Sequence, residues 1–398
     1  MALTSSEIHV SLDIGSKQHN VAIGLSSGEL LDEFEMLHQS SGFSEFFQRI
    51  KAQEDKFKLP VAIAMEGYNG WARPLDKLVL EKGYKLLNIN NLKLARFKEI
   101  FPSPAKTDYI DARKGLELFQ LSSHLPLIKG ALQEVPHQPK TNEILKRLTR
   151  RRRRFVNEKI RYMSTLQVDL QAVCPGLLTM TKDAENMWFL RLLGSVKHLT
   201  KLATLKETAL LKIKGVGKKF AQKIQDWQPT AFFSHDIEWV SDMILEDVQH
   251  ILNLKEKIKA LDTDILNHSN NSDIASYLNS IPGFGATSCA ELAGEIGTID
   301  RFNKESSLAI YLGMAPLDNS SGKFNGAKQP KHVNTRGKSA MMCAVDHHRK
   351  GSVRSDTYYQ KKRAEGKKHN QAVRALGRQM IKVIFKMLTE KRNYKLES

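Results

Sequence analysis

The chain has 398 residues, a formal net charge of +18 and 41% hydrophobic residues. That length exceeds what one hydrophobic core usually fills, so two or three domains are expected. The positive surface field selects polyanions, with nucleic acid ahead of an acidic membrane surface. No stretch approaches the roughly 18 apolar residues of a bilayer span, and the opening "MALTSSEIHV" lacks a signal pattern, so a cytoplasmic protein with no membrane partner is expected. Cys174, Cys289 and Cys343 are scattered and odd in number, which fits neither a disulfide framework nor a zinc cluster; they read as buried thiols.

The first 130 residues read as an α/β domain. Ile8, Val10, Leu12 and Ile14 alternate with His9, Ser11 and Asp13, and Val21 to Leu25 follow a Gly/Ser turn, which predicts a hairpin with Asp13 mid-strand on its polar face. "VAIAMEGY" brings Glu66 to the end of a second strand region, and "GYKLLNIN" lies between helical stretches at 70–82 and 91–99. In "AKTDYIDARKGLEL", Asp108 and Asp111 stand three residues apart at a helix start, so their carboxylates share one face. If that helix packs on the sheet, Asp13 and Glu66 reach the same point. Four acids converging without basic partners call for a hard divalent cation, and Mg²⁺ prefers a few carboxylates with water and phosphate oxygens. Two such ions would clamp the attacking and leaving oxygens of a phosphodiester. Taken singly, the acids also suit ordinary first-turn and turn positions.

From 140 to 172 the chain predicts one long helix carrying Arg150, Arg151, Arg152, Arg153 and Arg154, a run that covers every side of a helix and can meet phosphates or solvent. A second, 236 to 267, places Ile237, Val240, Ile244, Ile251, Leu254, Ile258, Leu261 and Ile265 in a coiled-coil repeat, interrupted at Asp247 beside Val248. The repeat pairs either with the arginine helix or with another subunit. Between them, Gly215 and Gly217 followed by Lys218 and Lys219 resemble a helix-hairpin-helix turn, whose backbone N–H groups receive a DNA phosphate. A second copy, Gly283 and Gly285, lacks following lysines and serves equally well as a plain turn. The segment 317–338 is poor in apolar residues and reads as an unpacked loop. His347 and His348 are adjacent on a helix, point about 100° apart, and read as surface or phosphate-contacting residues.

The acidic series, a strand Asp, a strand-end Glu and then D-x-x-D, resembles the DEDD arrangement of RuvC-like nucleases with the RNase H fold. More closely, "SLDIGSKQHNVAIG", "AMEGYNGWARPLDKL" and "AKTDYIDARKGLEL" are similar to the amino-terminal domain of the insertion sequence 110 family of transposases, relatives of the pilin-gene invertases. "IPGFGATSCAELAGEIGTIDRFNKESSLAIYLGMAPLDNSSGKFNGAKQP" is similar to that family's carboxy-terminal transposase domain. The resemblance implies an RNase H-like domain (1–130), a helical and coiled-coil domain with the helix-hairpin-helix (131–268), and a transposase domain (269–398). It implies Asp13, Glu66, Asp108 and Asp111 as catalytic residues holding two Mg²⁺ ions. It also implies a nucleophilic serine in the 317–338 loop, Ser321 by its Ser-Gly context or Ser320. Lys323, Lys328, Lys331 and Arg336 would then stabilise the phosphorane charge. Thr335 stands before Arg336 and Gly337 where the family commonly has lysine. The implied activity is DNA strand cutting and rejoining, in an oligomer from dimer to tetramer, on donor and target DNA chosen by a structured noncoding guide RNA. A metal-dependent junction nuclease or a non-catalytic DNA scaffold is the alternative.

Overall fold

The computed structural model describes residues 6–67, 73–100, 108–125, 129–321, 324–331 and 333–395, with the side chains of 108, 123, 129, 324 and 325 outside that description. Two compact units succeed one another along the chain, 1–137 and 138–398.

The first unit is built on a six-stranded sheet. Its elements are β1 (Ile8–Ile14), β2 (Gln18–Leu25), β3 (Leu30–Leu37), α1 (Ser40–Phe57), β4 (Val61–Glu66), α2 (Arg73–Glu81), β5 (Lys85–Ile89), α3 (Asn91–Ile100), α4 (Asp108–His124) and β6 (Leu132–Glu134). The strand order is β3-β2-β1-β4-β5-β6. β1, β2 and β3 pair antiparallel, β4 and β5 continue parallel to β1, and β6 closes the edge antiparallel. The period-2 alternation assigns the faces. Ile8, Val10, Leu12, Ile63 and Met65 bury against Phe46 and Ile50 of α1 and Leu75 and Val79 of α2. On the other face Ala62, Ala64 and Ile89 meet Leu94 and Phe97 of α3 and Leu118 and Phe119 of α4. The sheet thus has helices on both sides, as the interleaved pattern predicts. β3 and α1 were absent from the expected elements, although Phe34 and Met36 of β3 are buried in alternation with Glu33 and Glu35.

The second unit is mostly helical, with α5 (Lys140–Val173), α6 (Met187–Leu193), α7 (Glu207–Leu210), α8 (Lys218–Trp227), α9 (Ile237–Ser269), α10 (Asp273–Asn279), α11 (Ala286–Ile296), α12 (Glu305–Tyr311), the hairpin β7 (Leu317–Ser321) and β8 (Phe324–Lys328), then α13 (Thr335–Lys350), α14 (Val353–Ala364) and α15 (His369–Thr389). α5 and α9 run antiparallel: Arg152 pairs with Asp262, Phe155 packs with Leu254 and Leu261, and Tyr162 stacks on His250. The partner of the α9 repeat is therefore found within the chain. Its apolar seam passes through Val248, fully buried, while Asp247 is held half-buried beside it. Burial, with Asp169 nearby, raises the Asp247 carboxyl above its ordinary range. α11 nests against α5 at Gly294, where a side chain would collide with the Lys146 backbone. Residues 131–137 lie in the first unit, and the expected domains 131–268 and 269–398 otherwise fall together in the second. No helix among the described residues is long and apolar enough to cross a membrane.

Two expectations are corrected. Cys174 and Cys289 are buried, and burial pushes their thiols up to about 11 and about 12, but Cys343 is exposed on α13. His348 is a core residue rather than a surface one. Its Nδ1 bonds the Pro282 carbonyl and its Nε2 pairs with the Ser355 hydroxyl, because α13 passes under the second glycine turn; His347 stays exposed.

Candidate active site

Two contacts between β1 and α4 run antiparallel to each other. The His9 ring stacks on Phe119 at 3.8 Å, and Gly115 lies so close to Ser11 that a Cβ there would collide with the Ser11 hydroxyl. Two strand residues advance about 6.6 Å and four helix residues about 6 Å, so continuing that spacing by one step pairs position 13 with position 111. Asp13 is the penultimate residue of β1 rather than mid-strand. Leu12 registers with Met65 of parallel β4, so Asp13 and Glu66 occupy corresponding places at the ends of adjacent strands. His9 and Ser11 define the α4-covered face by alternation; Asp13 shares it, as Glu66 does with Ala62 and Ala64.

A cation marks the meeting point. The Lys98 ammonium of α3 is 3.2 Å from Asp111 Oδ2 and 3.9 Å from Glu66 Oε2. The three side chains keep 21%, 19% and 27% of their surface exposed, respectively, so the cluster is accessible from solvent. Glu66 and Asp111, far apart in sequence, are thus near enough to share one positive charge. Asp108 opens α4 one turn before Asp111, with its side chain outside the described residues. Among the described residues no group of three or more His, Cys, Asp or Glu side chains is arranged to hold a metal ion. Lys98 was not expected; one lysine in a short amphipathic helix carries no distinguishing signal.

The second unit places the remaining candidates. Ser320 and Ser321 are exposed near the tip of the β7–β8 hairpin, so the expected loop is a two-stranded ribbon that nonetheless stays uncovered. Adjacent strand residues face opposite ways. Ser321 therefore shares its face with Asn319 and Lys328, and Ser320 shares the other with Asp318. Lys331 and Arg336 are exposed, and Lys323 lies outside the described residues. Asn334 caps α13 by accepting from the Gly337 N–H at 2.9 Å, and Gly337 touches Leu312 so closely that a side chain would not fit. The Thr-Arg-Gly segment is thus the capped first turn of a helix.

Of the five arginines, three have protein partners. Arg150 forks onto Glu295 at 2.7 and 2.8 Å, Arg153 binds Glu291 and Arg152 binds Asp262. Glu295 is 1% exposed. Burial acts to raise its carboxyl, but hydrogen bonds from Arg150 and Asn334 outweigh it and hold the group below its ordinary range. Arg151 and Arg154 stay exposed and flank the Phe155 ring. Gly215, at φ +97°, and Gly217, which precedes the first turn of α8, leave Lys218 and Lys219 exposed. The helix before that turn, α7, is a single turn. The second turn packs Gly283 against the His348 backbone, at 2.7 Å from a would-be Cβ.

A mixed sheet that brings Glu66 and Asp111 to one solvent-accessible point, together with a helical unit bearing an exposed serine hairpin and a chain charge of +18, suits a protein that handles nucleic acid. Residues 10–175 match the IS110-type DEDD family described as transposase, and 275–360 match the family described as transposase IS116/IS110/IS902. An uncharacterized 44.8 kDa protein of insertion element IS116 from Streptomyces clavuligerus is 22% identical over 98% of this chain and 97% of its own length. An uncharacterized 43.6 kDa protein of insertion element IS110 from Streptomyces coelicolor is 25% identical over 96% and 94%. A 42 kDa protein of IS900 from Mycobacterium paratuberculosis is 36% identical over 29% and 30%. The chain belongs to the IS110 family of transposases, and its business is with DNA.

Proposed function

We propose that the first unit is an RNase H-like, RuvC-type DEDD domain in which Asp13, Glu66, Asp108 and Asp111 hold Mg²⁺, and that Ser321 attacks a DNA phosphodiester. The observation that carries this is the convergence of Glu66 and Asp111 on one ammonium, beside Asp13 at the paired ends of β1 and β4. Oxygen donors that already share a cation suit a hard divalent ion. Bound there, such ions would supply Lewis-acid polarisation of the phosphodiester and neutralise its developing charge.

The chain's own groups divide the remaining work. The close approach of Gly115 to Ser11 fixes where Asp111 stands against the sheet. The ribbon presents Ser321 without cover, so a DNA strand reaches its hydroxyl. In the attack the serine O–H breaks, an Oγ–P bond forms, one P–O bond of the strand breaks and the departing oxygen takes up the proton. The phosphoserine ester conserves the bond energy for rejoining to a new partner, with no need of ATP. Lys328, on the same ribbon face, and Lys331 and Arg336 beyond it attract the phosphates. Selection by a guide RNA and assembly into an oligomer rest on the family resemblance.

Incubating the protein with DNA and Mg²⁺ tests this. A covalent adduct lost in Ser321→Ala and in Asp13→Ala supports recombination. Free hydrolytic ends support a junction nuclease, and neither product supports a scaffold.

A further inference from the structure

The base of the serine ribbon meets the last two long helices in a groove of about 410 Å³, within the roughly 300–1,000 Å³ range of small-ligand sites. Its floor is apolar, with Met314, Pro316, Ala375 and the ring of Tyr358, and no acidic side chain lines it. The basic side chains around it differ in how they are engaged. Lys362 and Lys367 are bound by Glu365, and Arg378 by Glu305. Among the described residues no carboxylate pairs with Arg374. Its Nη1 donates to Gln329 at 3.3 Å, and its Nε is sealed inside without a hydrogen bond, so the terminal nitrogens are what it offers to a ligand. A guanidinium left short of an anionic acceptor, on the wall of an apolar groove in a chain of net charge +18, calls for an anion attached to something flat and apolar.

We propose that this groove receives one unstacked nucleotide of a nucleic-acid strand, its base stacked on Tyr358 and its phosphate held by Arg374. Tyr358 is half-buried against the core, which holds its ring, and the Lys362 ammonium lies 5.4 Å over the ring centre, where a stacking base would displace it toward Glu365. Gln371 also lines the groove; its Oε1 accepts from the Lys368 N–H at 2.9 Å, which leaves its amide N–H groups for a base edge. Because the groove adjoins Pro316 and Gln329, immediately outside β7 and β8, a strand anchored there is held at the root of the ribbon that carries Ser320 and Ser321. The proposal needs only the family's dealings with nucleic acid. It does not depend on the carboxylates or on which serine reacts.

The test is binding by the full-length protein of fluorescein-labelled 20-mer single strands, DNA and RNA in separate arms, and of a 20-base-pair duplex, read by fluorescence anisotropy. Loss of one stacking platform predicts about tenfold weaker single-strand binding in Tyr358→Ala, with duplex binding within about twofold of wild type and Tyr358→Phe unchanged. Arg374→Ala weakens the same strands and lowers the salt dependence by about one phosphate. A loss confined to the DNA arm or to the RNA arm names the strand that occupies the groove. Equal losses on duplex and single strands, or none in a Tyr358→Ala protein with wild-type melting, overturn the proposal. Should that variant melt early, irradiating wild-type protein with a 5-iodouracil strand decides: the adduct falls on the Tyr358 peptide, or it falls outside α14 and α15 and the groove is not the site.

Discussion

In the first unit Glu66 and Asp111 gather around a single lysine; in the second, Glu291 and Glu295 of α11 are taken up by arginines of α5. Glu66 and Asp111 share the Lys98 ammonium and keep part of their surface open to solvent, whereas Glu295 is nearly sealed beneath Arg150 and Asn334. Charge counted along the sequence does not reveal which of these states a residue enters. The difference is one of packing: strand ends and a helix start project short acids into an open notch, while long arginine side chains reach across a helix interface to buried partners. Hence Glu66 and Asp111 keep part of their surface open in a basic protein, and three of its five consecutive arginines are engaged by carboxylates.

The largest effect expected from breaking this contrast is on activity. Glu66→Gln and Asp111→Asn should each lower DNA strand transfer by at least on the order of 10²-fold while leaving the circular dichroism melt near wild type. Arg150→Ala should do the opposite. Leaving the Glu295 carboxylate without its cation costs about 3 kcal/mol in a denaturant titration, at the low end for a buried pair because Arg150 itself is partly exposed. Wild-type Glu295 contributes stability above the ordinary glutamate range that is lost as pH falls through its depressed folded value, so the gap between Arg150→Ala and wild type should narrow in acid.

Smaller effects sharpen the same comparison. Gly115→Ala forces α4 away from Ser11 and should destabilise the first unit by about 1–3 kcal/mol, and Ser11→Ala, which removes the colliding hydroxyl, should restore most of it. Acid should also weaken this unit through histidine. Burial lowers His9 and, together with His38, His19 from 6.5 to about 4. Both are neutral in the fold and protonate more readily unfolded. Their contribution is therefore full above pH 6.5 and declines as pH falls toward 4. Protection factors of β1 and β2 amides, exchange taken relative to the intrinsic rate at each pH, should fall across that window, with a shallower dependence in His9→Gln.

Much of the fold was legible because its periods are strong. The alternation at Ile8–Ile14 and the apolar runs at 61–66 and 85–89 became strands, and α5 and α9 lie within two residues of their expected bounds. β3 escaped because three acidic residues, Asp32, Glu33 and Glu35, dilute its alternation, although Phe34 and Met36 carry it. The placement of Asp111 at a helix start was readable from D-x-x-D, and its meeting with Glu66 was expected if that helix packs on the sheet; the close approach of Gly115 to Ser11 and the reach of Lys98 were not, since nothing local encodes them. The arginine run looked uniformly available because the partners Glu291 and Glu295 lie about 140 residues away in α11.

Manganese titration of the full-length protein, followed by the electron paramagnetic resonance of the free ion, tests the central claim most directly. The account predicts that wild type retains Mn²⁺, that Asp13→Asn, Glu66→Gln, Asp108→Asn and Asp111→Asn each lose affinity, and that Lys98→Met, relieved of the ammonium now between Glu66 and Asp111, binds at least as tightly as wild type. Equal Mn²⁺ affinity in wild type and all four carboxamide variants would contradict it.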